Sequence, residues 1–149
     1  MTSSVNELYQ EMILEHYKNP RNYGPLASAN HMVEGFNPLC GDHYKLYCQI
    51  DGDTIKDVHF EGSGCAISKA SASMMTASVK GKSKKEAEAL FDHFHQMISG
   101  NARADKDKLG KLIVFSGVSE FPMRVKCANL AWHALRAAIR GEGQTVSTE

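Results

Sequence analysis

Apolar and polar residues alternate through the middle of the chain, which is typical of a strand with one buried face. The alternating apolar positions are Tyr44, Leu46, Cys48 and Ile50. Asp51-Gly52-Asp53 then indicates a hairpin, after which residues 55–60 return as the next strand. Residues 31–37 predict a short strand that ends at the turn of Pro38. The pattern therefore predicts a three-stranded antiparallel meander.

Before the sheet, the spacing of apolar residues changes to that of a helix. Ser4-Val5-Asn6-Glu7 has the pattern of a capping box, which marks a helix start. The helix must end before Asn19-Pro20, because the residue ahead of a proline disfavours helical geometry. A loop over residues 21–30 follows. The predicted apolar face consists of Val5, Leu8, Tyr9, Met12 and Tyr17.

Helical spacing returns after Gly62 and predicts three further helices. The first ends at Gly81, the second follows a capping box at Ser83 and ends at Gly100, and the third runs from Pro122 to Gly141. Their predicted apolar faces are Ile67, Ala70, Met74 and Ala77, then Ala87, Leu90, Phe91, Phe94 and Ile98, and finally Val125, Ala128, Trp132, Leu135 and Ile139.

Together these elements predict one domain over residues 1–149 of the α+β class, with a three-stranded antiparallel sheet packed against about four to five helices. Residues 101–111 are charged and are expected to form a loop. Residues 112–118 are apolar but too few to assign to a helix or a strand. We expect the tail from Gln144 to fray.

Composition excludes several kinds of partner. The chain is 42% hydrophobic and 23% charged, as globular proteins are, and 17 basic residues balance 17 acidic ones. No long-range field therefore directs it to nucleic acid or to an anionic membrane. We find no apolar run of the roughly 20 residues that span a bilayer, and no secretory signal at the start. We expect a cytoplasmic protein whose four cysteines are ligands, nucleophiles or core residues rather than disulfides.

Three cysteines stand at turns or helix starts. Cys40 lies on a turn between a proline and a glycine, Cys65 follows Gly-Ser-Gly at a helix start, and Cys127 lies in the first turns of the last helix. A helix N-terminus favours the thiolate, which is both a metal ligand and a nucleophile. Asp42 brings a carboxylate close to Cys40, and such a group of anions repels unless a cation lies between them. Three cysteines and one aspartate can supply four ligands to zinc.

The remaining candidates have weaker patterns. Cys48 lies on the same side of its strand as the apolar residues, which favours core packing over a chemical role. The three other cysteines are separated by 25 and 62 residues, so that any site depends on the tertiary fold. The seven histidines form no ligand pattern. Arg124 and Lys126 are either solvated charges or offset the formal charge of about −2 that three thiolates and a carboxylate leave on a zinc complex.

Three motifs resemble those of the U-type iron–sulfur cluster assembly proteins, the IscU/NifU N-terminal superfamily. The motifs are Asn-Pro-x-Cys-Gly-Asp at residues 37–42, Gly-x-Gly-Cys-Ala-Ile-Ser-x-Ala-Ser at residues 62–71 and Lys-Cys-Ala-x-Leu-Ala-Trp at residues 126–132. The scaffold branch of this superfamily carries a histidine before its last cysteine and a Leu-Pro-Pro-Val-Lys chaperone motif. This chain has Lys126 at the histidine position, lacks the motif and has an extra stretch around residues 100–118. These features resemble the SufU branch.

That resemblance implies a zinc site formed by Cys40, Asp42, Cys65 and Cys127. It also implies that the protein accepts persulfide sulfur from a cysteine desulfurase of the SufS type and works with downstream Suf assembly proteins. Cys40 is the predicted catalytic nucleophile, because its turn can move while Cys65 and Cys127 are tied to helices. Two alternatives remain open. The same ligands could carry a [2Fe–2S] cluster on a scaffold protein, or the zinc could be purely structural in a binding module.

Overall fold

A sheet covered on one face by helices organises the structure, a computed structural model that describes residues 2–101, 105–141 and 145–147. Strands β1 (His31–Asn37), β2 (Asp42–Asp51) and β3 (Thr54–Ser63) form an antiparallel meander, as predicted. The apolar positions of β2, from Tyr44 to Ile50, are buried in strict alternation. The α+β class is therefore confirmed.

A fourth strand, β4 (Thr145–Ser147), pairs in parallel with β1, so the strand order is β3-β2-β1-β4. The predicted three-stranded antiparallel sheet is thus wrong in strand number and in direction. Three residues are too short for an alternating pattern, and only Val146 is half-buried. Residues 145–147 are not frayed, because they bond to β1 through the main chain. The rest of the tail from Gln144 lies outside the described residues.

Five α-helices and one 3₁₀ helix are described, in agreement with the predicted number. They are α1 (Thr2–Lys18), α2 (Ala66–Val79), α3 (Lys84–Ile98), α4 (Lys106–Leu109), the 3₁₀ helix (Gly110–Glu120) and α5 (Pro122–Arg140). The capping box at Ser83 and the proline at the first position of α5 are confirmed. None of the described helices is long and apolar enough to cross a lipid bilayer.

Local details differ from the sequence predictions. Helix α1 begins at Thr2, ahead of the predicted capping box. Over residues 7–18, where side-chain burial is described, Ile13 is buried, whereas Leu8 and Tyr17 are exposed. The predicted loop at residues 101–111 contains α4, which Asp105 caps by accepting two backbone hydrogen bonds. The unassigned segment 112–118 belongs to the 3₁₀ helix. Apolar spacing does not indicate the cap at Asp105 that starts α4.

Helix α2 is buried on almost every side, because it contacts α1, α5 and β3. Ala70 and Met74 of the predicted apolar face are buried, but Ala77 is exposed. The Ser71 hydroxyl donates to the Ala128 carbonyl at 2.6 Å and accepts from the indole N–H of Trp132 at 3.2 Å. These bonds join α2 to α5 and so fix the two helix-borne cysteines relative to each other.

We expect Cys48→Ser to lower the free energy of unfolding by about 1–3 kcal/mol, because it buries a hydroxyl that finds no partner. Cys48 is fully buried, and burial raises its pKa to about 12, as a core thiol requires. Cys48→Ala is the matched control, since it removes the sulfur without adding a polar group. Urea denaturation should rank the serine variant below the alanine variant, and equal stabilities would contradict this account.

Candidate metal centre

Four element ends bring the predicted site residues to one side of the molecule. Cys40 lies in the turn of residues 38–41 that joins β1 to β2, and its N–H donates to the carbonyl of Asn37 at 3.2 Å. Asp42 is the first residue of β2. Cys65 caps the N-terminus of α2, and Cys127 lies in the second turn of α5. The site therefore depends on the sheet and on both central helices.

One oxygen of Asp42 and the Sγ atoms of Cys40 and Cys127 lie within 4.8 Å of one another. Atoms on opposite sides of a single zinc ion are separated by up to about 4.6 Å, because zinc binds oxygen and sulfur at about 2.0–2.3 Å. The group therefore has nearly the size that one ion needs. Asp42 and Cys127 are buried and Cys40 is half-buried. In the part of the chain that the structure describes, no other group of this kind occurs.

Cys65 is not a member of this group, although its sulfur forms a hydrogen bond with that of Cys127. Its Sγ atom accepts the backbone N–H of Ser68 at 3.4 Å, which is the N-cap bond of α2. The structure thus brings three of the four predicted ligands together and places the fourth beside them, where it is engaged as a helix cap.

The thiols of Cys65 and Cys127 have opposite pKa shifts. The pKa of Cys65 is lowered to about 5, mainly by the hydrogen bond from Cys127. Hydrogen bonds from Ser68 lower this pKa further, whereas burial raises it. The pKa of Cys127 is raised well above its ordinary value by the same hydrogen bond and by burial. Without a metal, the hydrogen bond between the two sulfurs therefore favours a thiolate at Cys65.

A network of hydrogen bonds orients the Asp42 carboxylate. Its Oδ1 atom accepts the backbone N–H of Cys65 at 2.9 Å and the hydroxyl of Ser68 at 3.1 Å. The Tyr44 hydroxyl lies 2.8 Å from the same Ser68 oxygen. The Oδ2 atom lies 3.5 Å from the amide nitrogen of Asn37, which is equally far from the Cys127 sulfur, and the carboxylate also shares a hydrogen bond with Cys127. Because Oδ1 is held by the backbone and by Ser68, Oδ2 is the oxygen better placed to bind a metal.

Gly64 makes this network sterically feasible. A Cβ atom at this position would lie 2.6 Å from both the Ser68 and Tyr44 hydroxyl oxygens and would also overlap the Asp42 carboxylate. The glycine before Cys65 is therefore required by close approach. Sequence reasoning missed Tyr44 and Ser68 as parts of the site, although Ser68 lies within one of the three motifs.

Arg124 lies near the thiols from the first turn of α5. The charge of Cys65 and a hydrogen bond with Cys127 raise the pKa of its guanidinium. This contact supports the hypothesis that Arg124 offsets the negative charge of the site rather than being only solvated. For Lys126, which is half-buried on the same helix, both alternatives of the sequence prediction stand.

The meander, the central helix pair and the cysteine motifs together define a family. The chain belongs to the NifU-like N-terminal domain family, whose model matches residues 8–128. The resemblance to the IscU/NifU superfamily, and within it to SufU, is thereby confirmed. The zinc-dependent sulfurtransferase SufU of Bacillus subtilis is 44% identical over 140 residues, which cover 94% of this chain and 95% of that protein.

Relatives that are named as scaffold proteins are equally similar to this chain. The iron–sulfur cluster assembly scaffold protein IscU of Streptococcus pyogenes is 44% identical over 138 residues, or 93% of this chain and 86% of that protein. The crystal structure of a proposed scaffold protein for the SUF system of Fervidobacterium islandicum has a TM-score of 0.83 and 41% identity, with 87% and 94% coverage. Sequence identity alone therefore does not distinguish a sulfurtransferase from a scaffold protein for this chain.

In the metal-free protein, iodoacetamide should label Cys65 already near pH 6. Because its pKa is lowered to about 5, the thiolate prevails above that pH, and protonation below it removes the nucleophile. The alkylation rate, followed by mass spectrometry, should level off by about pH 7. The same cysteine in urea-unfolded protein should react faster up to about pH 8.5, the ordinary thiol pKa. A folded-state rate that also rises up to that pH would contradict the lowered pKa.

Ser68→Ala should weaken the binding of Zn²⁺ by about 10–100-fold, because Asp42 loses the hydroxyl that holds its Oδ1 atom. The measurement is competition with a zinc-chelating dye. Ser78→Ala is the matched control, since it removes a hydroxyl from the same helix that only donates to the Met74 carbonyl at 2.7 Å. Equal zinc affinities of the two variants would show that Ser68 has no positioning role.

Proposed function

We propose that this protein is a zinc-dependent sulfurtransferase that accepts persulfide sulfur from a cysteine desulfurase for iron–sulfur cluster assembly. The observation that carries the proposal is the position of Cys40, a half-buried thiol on a turn beside the buried Cys127 and Asp42. The similarity to SufU over 94% of the chain supports it.

The residues present fit a zinc ion. Cys40, Asp42 and Cys127 would hold it, and Cys65 is close enough to Cys127 to share a hydrogen bond and to join them. A bound zinc keeps thiolates deprotonated at neutral pH and has no redox chemistry of its own. The network around Asp42 keeps its carboxylate in place, and Arg124 compensates part of the negative charge.

Cys40 is the thiol best placed to take up sulfur. Cys127 is fully buried on α5, and the Cys65 sulfur caps α2, so moving either would disturb a helix. In the described part of the chain, the turn of Cys40 has one main-chain hydrogen bond, from Cys40 to Asn37, and Gly41 adopts a φ of 73° that allows the tight reversal. The turn can therefore move without loss of core packing.

The proposed step is a thiol exchange. The Cys40 thiolate attacks the terminal sulfur of a persulfide on the partner enzyme, and a new S–S bond forms while the bond in the partner breaks. The cysteine of the partner leaves as a thiolate, and Cys40 then carries the extra sulfur as a persulfide. No electrons are gained or lost overall, so the step needs no oxidant or reductant.

Exposed apolar side chains flank the site and suit a docking partner. Leu39, directly before Cys40, is 58% exposed, and Phe121 and Met123, within one turn of Arg124, are 60% and 53% exposed. Large apolar side chains exposed close together mark contact surfaces. We infer that a cysteine desulfurase of the SufS type covers them, which would bring its persulfide to the Cys40 turn.

The second candidate is a scaffold on which a [2Fe–2S] cluster is assembled. The same thiol and carboxylate ligands permit it, and the IscU relative of Streptococcus pyogenes has the same identity to this chain as SufU. The lysine at position 126, where the scaffold branch has histidine, favours the sulfurtransferase.

Cys40→Ser should reduce the rate of the cognate desulfurase to that of the enzyme alone, because the acceptor thiol is lost. Cys48→Ala is the control, since that cysteine lies in the core and should leave the stimulation intact. Alkylation of the reaction intermediate, digestion and mass spectrometry should place the extra sulfur on Cys40. Extra sulfur on Cys65 or Cys127 with Cys40 unmodified would overturn the assignment, and a stable cluster passed intact to an acceptor would favour the scaffold.

A further inference from the structure

A concave feature separate from the cysteine site lies near the C-terminal end of α2. It encloses about 730 Å³, and its lining includes none of the four predicted metal ligands. Cys65 caps one end of α2, and Ser78 lines this feature near the other end, about 20 Å away at 1.5 Å per residue. We call it the basic cleft. A volume of this size is within the range of small-molecule sites, about 300–1,000 Å³.

Positive charge gathers in the basic cleft. The basic side chains in its lining are Arg21, Lys82, Lys108 and Lys111. Arg21 pairs with Glu15 at 3.3 Å, but no ion pair among the described residues involves any of the three lysines. The single acidic residue of the lining, Glu86, uses its carboxylate to cap α3 by accepting from the Ser83 N–H at 3.0 Å. Glu86 also lies close enough to Lys82 to interact with its charge. The four basic side chains nevertheless outnumber the one acidic side chain of the lining, although the whole chain has no net charge.

Two histidines add hydrogen-bonding groups to the same lining. The Nδ1 atom of His16 lies 2.7 Å from the Ser73 hydroxyl, and burial together with Arg21 and Lys111 lowers the pKa of this imidazole. The Nδ1 atom of His93 is buried and has no hydrogen-bond partner among the described residues. Both histidines therefore line the cleft, and their ring signals can report on a ligand that enters it.

Part of the lining is apolar, and we call it the apolar wall. It is formed by Met74 and Ala77 of α2 and by Ala89 and Leu90 of α3. A ligand that suits the whole lining therefore combines an anionic group with an apolar part. Three ammonium groups in one cleft are best neutralised by phosphate, which carries up to two charges on a single compact group. The carboxylates of an acidic peptide are instead spread along the chain, by up to about 3.3–3.6 Å per residue.

We propose that the basic cleft binds a small phosphorylated organic molecule, with its phosphate groups between Lys82, Lys108 and Lys111 and its carbon part against the wall of α2 and α3. The segment that supplies Lys108 and Lys111 belongs to the extra stretch around residues 100–118. This stretch thus acquires a role of its own, separate from the cysteine site.

The test is calorimetric titration of the zinc-loaded protein at low salt with ADP, inorganic pyrophosphate and uncharged adenosine as probes. ADP should bind at one site and at least about tenfold more tightly than adenosine, and the affinity should fall as salt is added. The ring signals of His16 and His93 should shift in NMR spectra when ADP is added.

Substitutions test whether ADP binds in the basic cleft. Lys108→Gln combined with Lys111→Gln should weaken ADP binding at least about tenfold, since two phosphate partners are lost. Lys45→Gln combined with Lys85→Gln removes the same charge outside the cleft and should have no such effect. Ala77→Leu, at an exposed position of the apolar wall, should weaken ADP binding but not pyrophosphate binding.

Several results would overturn the proposal. They are the absence of ADP binding at low salt, binding that survives the Lys108 and Lys111 substitutions, and a hexaglutamate peptide that binds more tightly than ADP. The last result would identify an acidic protein segment as the ligand. The double lysine variant should keep its zinc and its full stimulation of the desulfurase, so this test is independent of the proposed sulfur transfer.

Discussion

The hydrogen bond of 2.9 Å from the Cys65 N–H to the Asp42 carboxylate joins the sheet to the central helices. The first N–H groups of a helix have no partner within the helix, and this one is satisfied by a side chain from β2. A shift of the carboxylate would therefore leave a helix start unpaired and displace a candidate ligand at the same time. Folding and the candidate metal centre depend on one and the same contact.

The two helices that carry cysteines are held rigidly, whereas Cys40 is not. Ser71 bonds both to the main chain and to the indole of α5, and Trp132 stacks on Phe94 with ring centres 4.8 Å apart. These contacts set the distance between Cys65 and Cys127 through core packing. Cys40 lies on a turn outside this packing. The site thus combines a fixed part, which can hold an ion, with a part that can move towards a partner.

The parts of the fold with local signals could be predicted from the sequence. Alternation in β2, the capping box at Ser83 and the proline start of α5 each depend on neighbouring residues, and all three were right. The strand β4 could not be predicted, since main-chain pairing with β1 leaves no side-chain pattern. In the site, the turn and the helix starts could be read from the sequence, and they indicated where the cysteines lie. The capping bond of the Cys65 sulfur and the contact of the Tyr44 hydroxyl could not be predicted, because they depend on the folded geometry.

In the described part of the chain, one edge of the sheet is a very short strand and the other is partly covered. The short strand β4 covers β1, while the main chain of residues 22–24 and 81–83 bonds to β3 on the opposite side. Unpaired strand edges are templates that other chains can extend. Here the edge strand β4 is only three residues long, and β3 is bonded on its outer side near residues 54–55 and 60, which limits the main chain that another strand could extend. Recognition through side chains and turns is therefore favoured, and there shape and charge set the specificity.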